Sequence, residues 1–276
     1  MDDYMQLKCV FPAAHEKADI VTAFLAELGF DMFEDSDDGL VAYISASSFV
    51  ESDILDLSKQ LSFDFTIQKI PGENWNREWE KDFPIIEFEN IFSVRAPFHP
   101  LSENFKYTLT IEPDMSFGTG HHPTTLAMLQ EMLQIDFHEK TVLDMGAGTG
   151  ILSVMASFLG ASQIFAVDNH ERSCRNILLN CQHNKLDNIQ VIHGSIEDVA
   201  NDKFHVILAN INRNILLQHM EMYHAMLQPQ GLLIISGFLE EDVPVLSEAA
   251  TKYGFAWTSS KMHQNWGIMS FCKSES

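Results

Sequence analysis

What this chain has little of narrows the field first. No apolar run approaches the ~18 residues that a membrane-spanning helix needs, and the opening MDDYMQLKCV is acidic rather than basic and then apolar. The cytoplasm is the expected location. Four cysteines, Cys9, Cys174, Cys181 and Cys272, form no C-x-x-C pair, and a chain of 276 residues does not depend on disulfide staples. They read as reduced, buried or half-buried small apolar side chains. Basic residues are scarce as well: 17 Lys and Arg against 39 Asp and Glu leave a net charge of -22. No Lys/Arg cluster of the kind that displaces counterions from nucleic acid is present. The charge balance argues against a direct nucleic-acid reader and for a cationic partner, or for solubility alone.

What is present divides into two parts. Residues 1–70 hold 14 acidic residues and 4 Lys, a net of -10. They read as strand, helix, strand, strand, helix, strand: MQLKCVF alternates, EKADIVTAFLAELG has helical spacing and stops at Gly29, and DMFEDS and GLVAYISAS pair across a turn. VESDILDLSKQLS and FDFTIQKI follow as helix and strand. That order predicts a small α+β ferredoxin-like domain over 1–71, a four-stranded sheet with two helices on one face. Pro71 and Gly72 mark a boundary, and 72–84 reads as a linker helix carrying Trp75 and Trp79 on one side. Short strands then lead to the loop SFGTGHHPTT and the helix PTTLAMLQEMLQ.

Beyond residue 140 strand and helix alternate from TVLDM to VPVLSEAATKY, which predicts α/β architecture over 85–276: a doubly wound, mostly parallel, Rossmann-like sheet. Ligands on such sheets bind beyond the carboxyl ends of the strands, where the winding reverses. VLDMGAGTGIL lies at such a point, a buried strand running into a loop with glycines at 146, 148 and 150. Glycine serves where backbone must turn tightly or lie against a ligand. The spacing G-x-G-x-G is not the dinucleotide fingerprint, and Asp144, two positions before Gly146, would repel a pyrophosphate and welcome a cationic amino-acid head group. Asp168 ends the next strand, QIFAVD, where a carboxylate can accept two hydrogen bonds from a ribose diol. Asn210 ends FHVILAN, a neutral amide able to accept from an amine and to donate.

The segment from EPDMSFGTGHHPTT through DMGAGTG to VLANIN resembles the class I S-adenosylmethionine-dependent methyltransferases, and within them the family that methylates large-subunit ribosomal protein eleven. The resemblance spans essentially the whole chain. It implies S-adenosylmethionine as cofactor, a basic ribosomal protein as partner, and cofactor contacts at Thr125, Gly146, Asp168 and Asn210; Asp144, Gly148 and Gly120 are expected to bind the cofactor as well. Phe117 is expected to flank the reacting centre beside Asn210, and Gly118 and Gly120 to let that loop move. Ala147 and Asn169 depart from the family's usual residues without removing a polar contact. His121 and His122 have no third or fourth ligand at metal spacing, so no metal is expected. Relatives that methylate adenine or glutamine follow the asparagine with two prolines and an aromatic; NINR lacks that flat platform, which favours a flexible aliphatic amine. The competing readings are the same catalytic domain acting on RNA or another protein, and a non-catalytic S-adenosylmethionine-binding module.

Overall fold

The computed structural model describes residues 3–11, 21–22, 24–25, 28–30, 32–36, 39–70, 83–101, 104–113, 120 and 122–274. Most of the linker helix expected over 72–84, most of the helix expected over 16–29, and Phe117, Gly118 and His121 lie outside these residues. The contacts divide the chain into two compact units, Met1–Phe83 and Pro84–Ser276.

In the first unit β1 (Tyr4–Val10), β2 (Met32–Ser36), β3 (Gly39–Ser45) and β4 (Asp64–Ile70) form one antiparallel sheet in the order β2-β3-β1-β4. Helix α1 (Glu51–Leu61) buries Ile54 and Leu57, three residues apart on one face, and stops where Ser62 turns left-handed at φ 53°. Alternate residues Leu7 and Cys9 of β1 meet Ile54, Leu57 and the helical Val21 and Leu25 in one core. This is the ferredoxin-like order read from the sequence.

The second unit begins with a three-stranded sheet of β5 (Ile86–Phe88), β6 (Phe92–Arg95) and β7 (Tyr107–Thr110). Helix α2 (Pro123–Met132) follows with Pro123 at its first turn, where a missing N–H costs nothing. The large sheet runs β10-β9-β8-β11-β12-β14-β13. Its strands are β8 (Thr141–Met145), β9 (Gln163–Asp168), β10 (Ile189–His193), β11 (Phe204–Asn210), β12 (Leu227–Leu239), β13 (Phe255–His263) and β14 (Trp266–Lys273). Helices α3 (Ile151–Phe158), α4 (Glu171–Asn184), α5 (Arg213–Met226) and α6 (Val243–Lys252) connect them.

The central strands are apolar on both faces because both are covered. Leu143 and Met145 of β8 and Ile207 and Ala209 of β11 face one core; Val142, Val206 and Leu208 face the other, with α2 and α3. The chain winds outward from β8 through β9 to β10, then returns to place β11 on the other side of β8. That reversal opens a crevice beyond Met145 and Asn210. One departure from the alternation is the terminal hairpin. β14 is antiparallel to both neighbours and lies between β12 and β13, and its two-residue turn, Gln264–Asn265, has φ of 50° and 68°, the handedness of a type I′ hairpin.

Candidate functional site

The glycine loop takes its shape from left-handed backbone. Gly146, Gly148 and Gly150 have φ of 70°, 57° and 75°, a region that a side chain opposes. A Cβ on Gly146 would run into the side chain of Ile211, so that glycine also admits the neighbouring strand tip. Gly146 N and Ala147 N both donate to Val167 O, at 2.8 and 3.0 Å, which fastens the loop to the end of β9.

Asp168 closes that strand and organises what surrounds it. Its Oδ2 accepts from Gly148 N and its Oδ1 from His170 N, each at 2.9 Å. Each carboxylate oxygen keeps a further lone pair, on a group that lines the crevice. The acid therefore shapes the loop while still offering two acceptors.

Asn210 stands across the crevice at the tip of β11. Its Nδ2 donates to Thr125 Oγ1 at 3.5 Å, a long bond that turns the amide, and its buried Oδ1 has no hydrogen-bond partner among the described residues. An unsatisfied buried acceptor costs about 1 to 3 kcal/mol. Asn212, two residues on, does different work: its side chain accepts from Ile215 N at 3.2 Å and caps α5. Gly237 of β12 (φ 91°) packs against the backbone of Ile211, where a Cβ would strike the carbonyl, so this glycine sets how closely the Asn210 turn approaches.

These groups surround a cleft of about 650 Å³ whose walls include Gly146, Gly148, Asp168, Asn210, Gly237 and Trp266. His122 joins them; its Nδ1 accepts from Thr124 N at 3.3 Å to cap α2, its ring meets Trp266 edge-on at 4.8 Å, and burial holds its imidazole below the ordinary histidine range. Among the described residues no three His, Cys, Asp or Glu side chains gather as metal ligands would.

The expected site residues thus separate. Gly146, Gly148, Asp168 and Asn210 share one cleft. Thr125 lies behind Asn210, 1% exposed, and reaches the cleft only through it. Gly120 (φ 94°) is packed among Ile86, Val94 and Ile151, where an added Cβ would come within 2.9 Å of Ile86 Cδ1. Asp144 stands apart from these. It is 1% exposed, does not line the cleft, and turns Oδ2 to Ser153 N and Oγ at 3.0 and 2.6 Å. Burial pushes its carboxyl up to about 6, against the two bonds from Ser153, with Asp168 adding to the rise. Through Oδ2, Asp144 braces β8 against α3. Gly237, Ile211, Trp266 and His122 are lining residues that pattern reading did not select; the signal for Gly237 was a lone glycine inside the apolar strand GLLIISGF.

Comparison with known proteins agrees with this architecture. The fold is similar to the crystal structure of a ribosomal protein L11 methylase from Lactobacillus delbrueckii subsp. bulgaricus, with a TM-score of 0.64 at 23% identity over 70% of this chain and 100% of that one. A methyltransferase from Pyrococcus furiosus gives 0.52 at 17% identity, over 60% of this chain and 90% of that one. At such identities the likeness concerns the fold alone. Sequence carries it further: a protein named ribosomal protein L11 methyltransferase from Porphyromonas gingivalis is 41% identical over 92% of this chain and 90% of its own length. One of the same name from Phocaeicola vulgatus is 35% identical over 92% of each. The family model described as ribosomal protein L11 methyltransferase (PrmA) matches residues 13–274. With the match running through both units and every strand tip of the cleft, the chain belongs to the ribosomal protein L11 methyltransferase family.

Proposed function

We propose that the chain transfers methyl groups from S-adenosylmethionine to primary amines of ribosomal protein L11, namely lysine ε-amines and the N-terminal α-amine. One observation carries the reading: Asn210, on the wall of a cleft that also holds Asp168 and the glycine loop, has a buried Oδ1 without a hydrogen-bond partner among the described residues. A neutral amine satisfies that oxygen with one N–H and keeps its lone pair for attack. The family model and the named relatives support L11 as the protein that brings the amine.

S-adenosylmethionine, when bound, supplies an electrophilic methyl on a sulfonium sulfur. The residues present fit it. Asp168, with one lone pair left on each oxygen after Gly148 N and His170 N, suits a ribose diol. Gly146 and Gly148 leave the loop without side chains on the cleft wall. Asn210 then receives the acceptor. A lysine amine of pKa ~10.4 must lose its proton first, at a cost of about 4.6 kcal/mol at pH 7. A carboxylate at the Asn210 position would raise that cost by favouring the ammonium, whereas an amide orients the amine without charge. Asp144, the other acid near the loop, is buried and accepts from Ser153 through Oδ2.

Residues 1–71 would present the substrate, with their net of -10 in residues 1–70 complementing a basic ribosomal protein; 72–84 would link them to a catalytic domain over 85–276. The reaction belongs in the cytoplasm, with a protein rather than RNA as acceptor, since the chain has no Lys/Arg cluster for phosphates. No helix among the described residues is long and apolar enough to cross a membrane. The test is mass spectrometry of L11 from a strain lacking this gene, followed by purified chain, S-adenosylmethionine and that L11. The expected result is loss of methyl mass in the strain and its return in vitro. Tight cofactor binding without transfer to L11 would overturn the choice of substrate.

A further inference from the structure

Helix α4 carries asparagines at 176, 180 and 184, a strict i, i+4, i+8 row. Four helical residues advance about 6 Å, close to the ~6.7 Å between alternate residues of a strand. The row can therefore act as the missing neighbour of a strand edge, and it does. Asn184 Oδ1 accepts from Thr110 N at 2.9 Å while its Nδ2 donates to Thr110 O at 2.6 Å. Asn180 Oδ1 accepts from Glu112 N at 2.7 Å, and Asn176 Nδ2 donates to Glu112 O at 3.4 Å. On its other edge the same stretch is held by β6, through Ile111 N to Arg95 O at 2.8 Å.

Asn180 alone of the three reaches further. Its Nδ2 donates to Thr149 O at 2.8 Å, inside the glycine loop, and to Asn176 Oδ1 at 2.7 Å. The side chain is fully buried. One amide thus ties the loop that faces the cleft to Glu112, at the root of the connection leading to α2, where Thr125 supports Asn210. Three left-handed glycines at alternate positions make a loop that depends on outside anchors for a single shape. Val167 O and Asp168 hold its beginning; Asn180 holds its end.

We propose that Asn180 is a positioning residue for methyl transfer, fixing the glycine loop against the root of the α2 connection so that the cofactor cleft is preformed. The proposal rests on the reading of that cleft as the S-adenosylmethionine site. The side chain is not on the cleft wall and acts through Thr149 O and Glu112 N. Asn184 is its internal control, since it makes the same kind of strand contact without touching the glycine loop.

Calorimetric titration of the full-length protein with S-adenosylmethionine, alongside thermal melts, tests it. Asn180→Ala is expected to weaken cofactor binding about tenfold, the scale of one lost buried hydrogen bond. Asn184→Ala is expected to lower the melting temperature yet keep the parent's affinity. Should Asn180→Ala fail to fold, Asn180→Asp has nearly the same shape, keeps an acceptor for Glu112 N and removes the donor to Thr149 O; it too should bind the cofactor more weakly. Parent-like affinity in the Asn180 variants, or equal weakening by Asn184→Ala, would overturn the proposal. If the parent itself binds no S-adenosylmethionine, the reading of the cleft falls and this proposal with it.

Discussion

Exchanging Asn210 for aspartate changes almost nothing in shape and reverses the electrostatics at the acceptor. In the parent, Nδ2 is directed to Thr125 Oγ1 and Oδ1 is left for the amine. In Asn210→Asp the Thr125 hydroxyl can turn its proton toward one carboxylate oxygen, and the other faces the amine with a negative charge. An opposite charge at hydrogen-bonding distance raises an amine's pKa by about 1 to 3. The neutral fraction at pH 7 falls by about 10-fold to 1000-fold, and kcat with it, since only the neutral amine attacks. The loss is repaired by raising the pH, with the rate climbing tenfold per pH unit until the shifted pKa is passed. Asn210→Ala behaves differently: it removes a positioned group without adding charge, so its rate falls by about 100-fold at every pH. The assay is a pH–rate profile of methyl transfer at saturating S-adenosylmethionine for parent and both variants. An Asn210→Asp profile that superimposes on the parent's would show that another group holds the amine.

Asp168→Ala should weaken S-adenosylmethionine binding by about 1.5 to 3 kcal/mol in calorimetric titration, and lower the melting temperature because Gly148 N and His170 N lose their acceptor; unchanged affinity would reduce Asp168 to a loop brace. Asp144 titrates at about 6 rather than its ordinary 3.8, so the folded state holds this proton more tightly and stability falls as pH rises from about 4 through 6. The drop is on the order of 3 kcal/mol, and urea melts of Asp144→Asn, compared with the parent at each pH, should lack it. A chain beginning at Pro84 should keep its fold and cofactor affinity, because Pro84–Ser276 is a compact unit of its own, yet lose methylation of folded L11; full activity on L11 would contradict substrate presentation by the N-terminal residues. Gln264→Asn should raise stability by about 0.5 kcal/mol in a chemical melt, since asparagine tolerates the left-handed turn position better.

Much of the catalytic unit was legible because its code is local. A fully buried parallel strand reads as an apolar run, and VLDM, IFAV and VILA announce three of them together with the polar residues at their tips. The alternation in 1–70 likewise yields the four-stranded order. The partner of Asp144 was not legible, because a place two positions before a glycine loop says nothing of which way a side chain turns; Ser153, nine residues later, donates to its Oδ2. The terminal hairpin escaped notice because β13 lies at the sheet edge, and its AWTSSKMH is mostly exposed, without clear alternation. The asparagine row at 176, 180 and 184 was visible as a period of four in residues that favour neither helix interior nor burial. That conflict with propensity was the signal.

The position of β14 also bears on how the sheet is completed. The strands from β10 to β12 can be assembled before the last hairpin joins them, since β12 is the one strand among them that pairs with the hairpin, through β14. The hairpin closes locally across Gln264–Asn265, so it forms fast and docks as a unit through β14. Until it docks, β12 is an open edge bearing LLII at 232–235. An unpaired edge of that composition invites another chain. Docking of the hairpin is then the step that removes this edge.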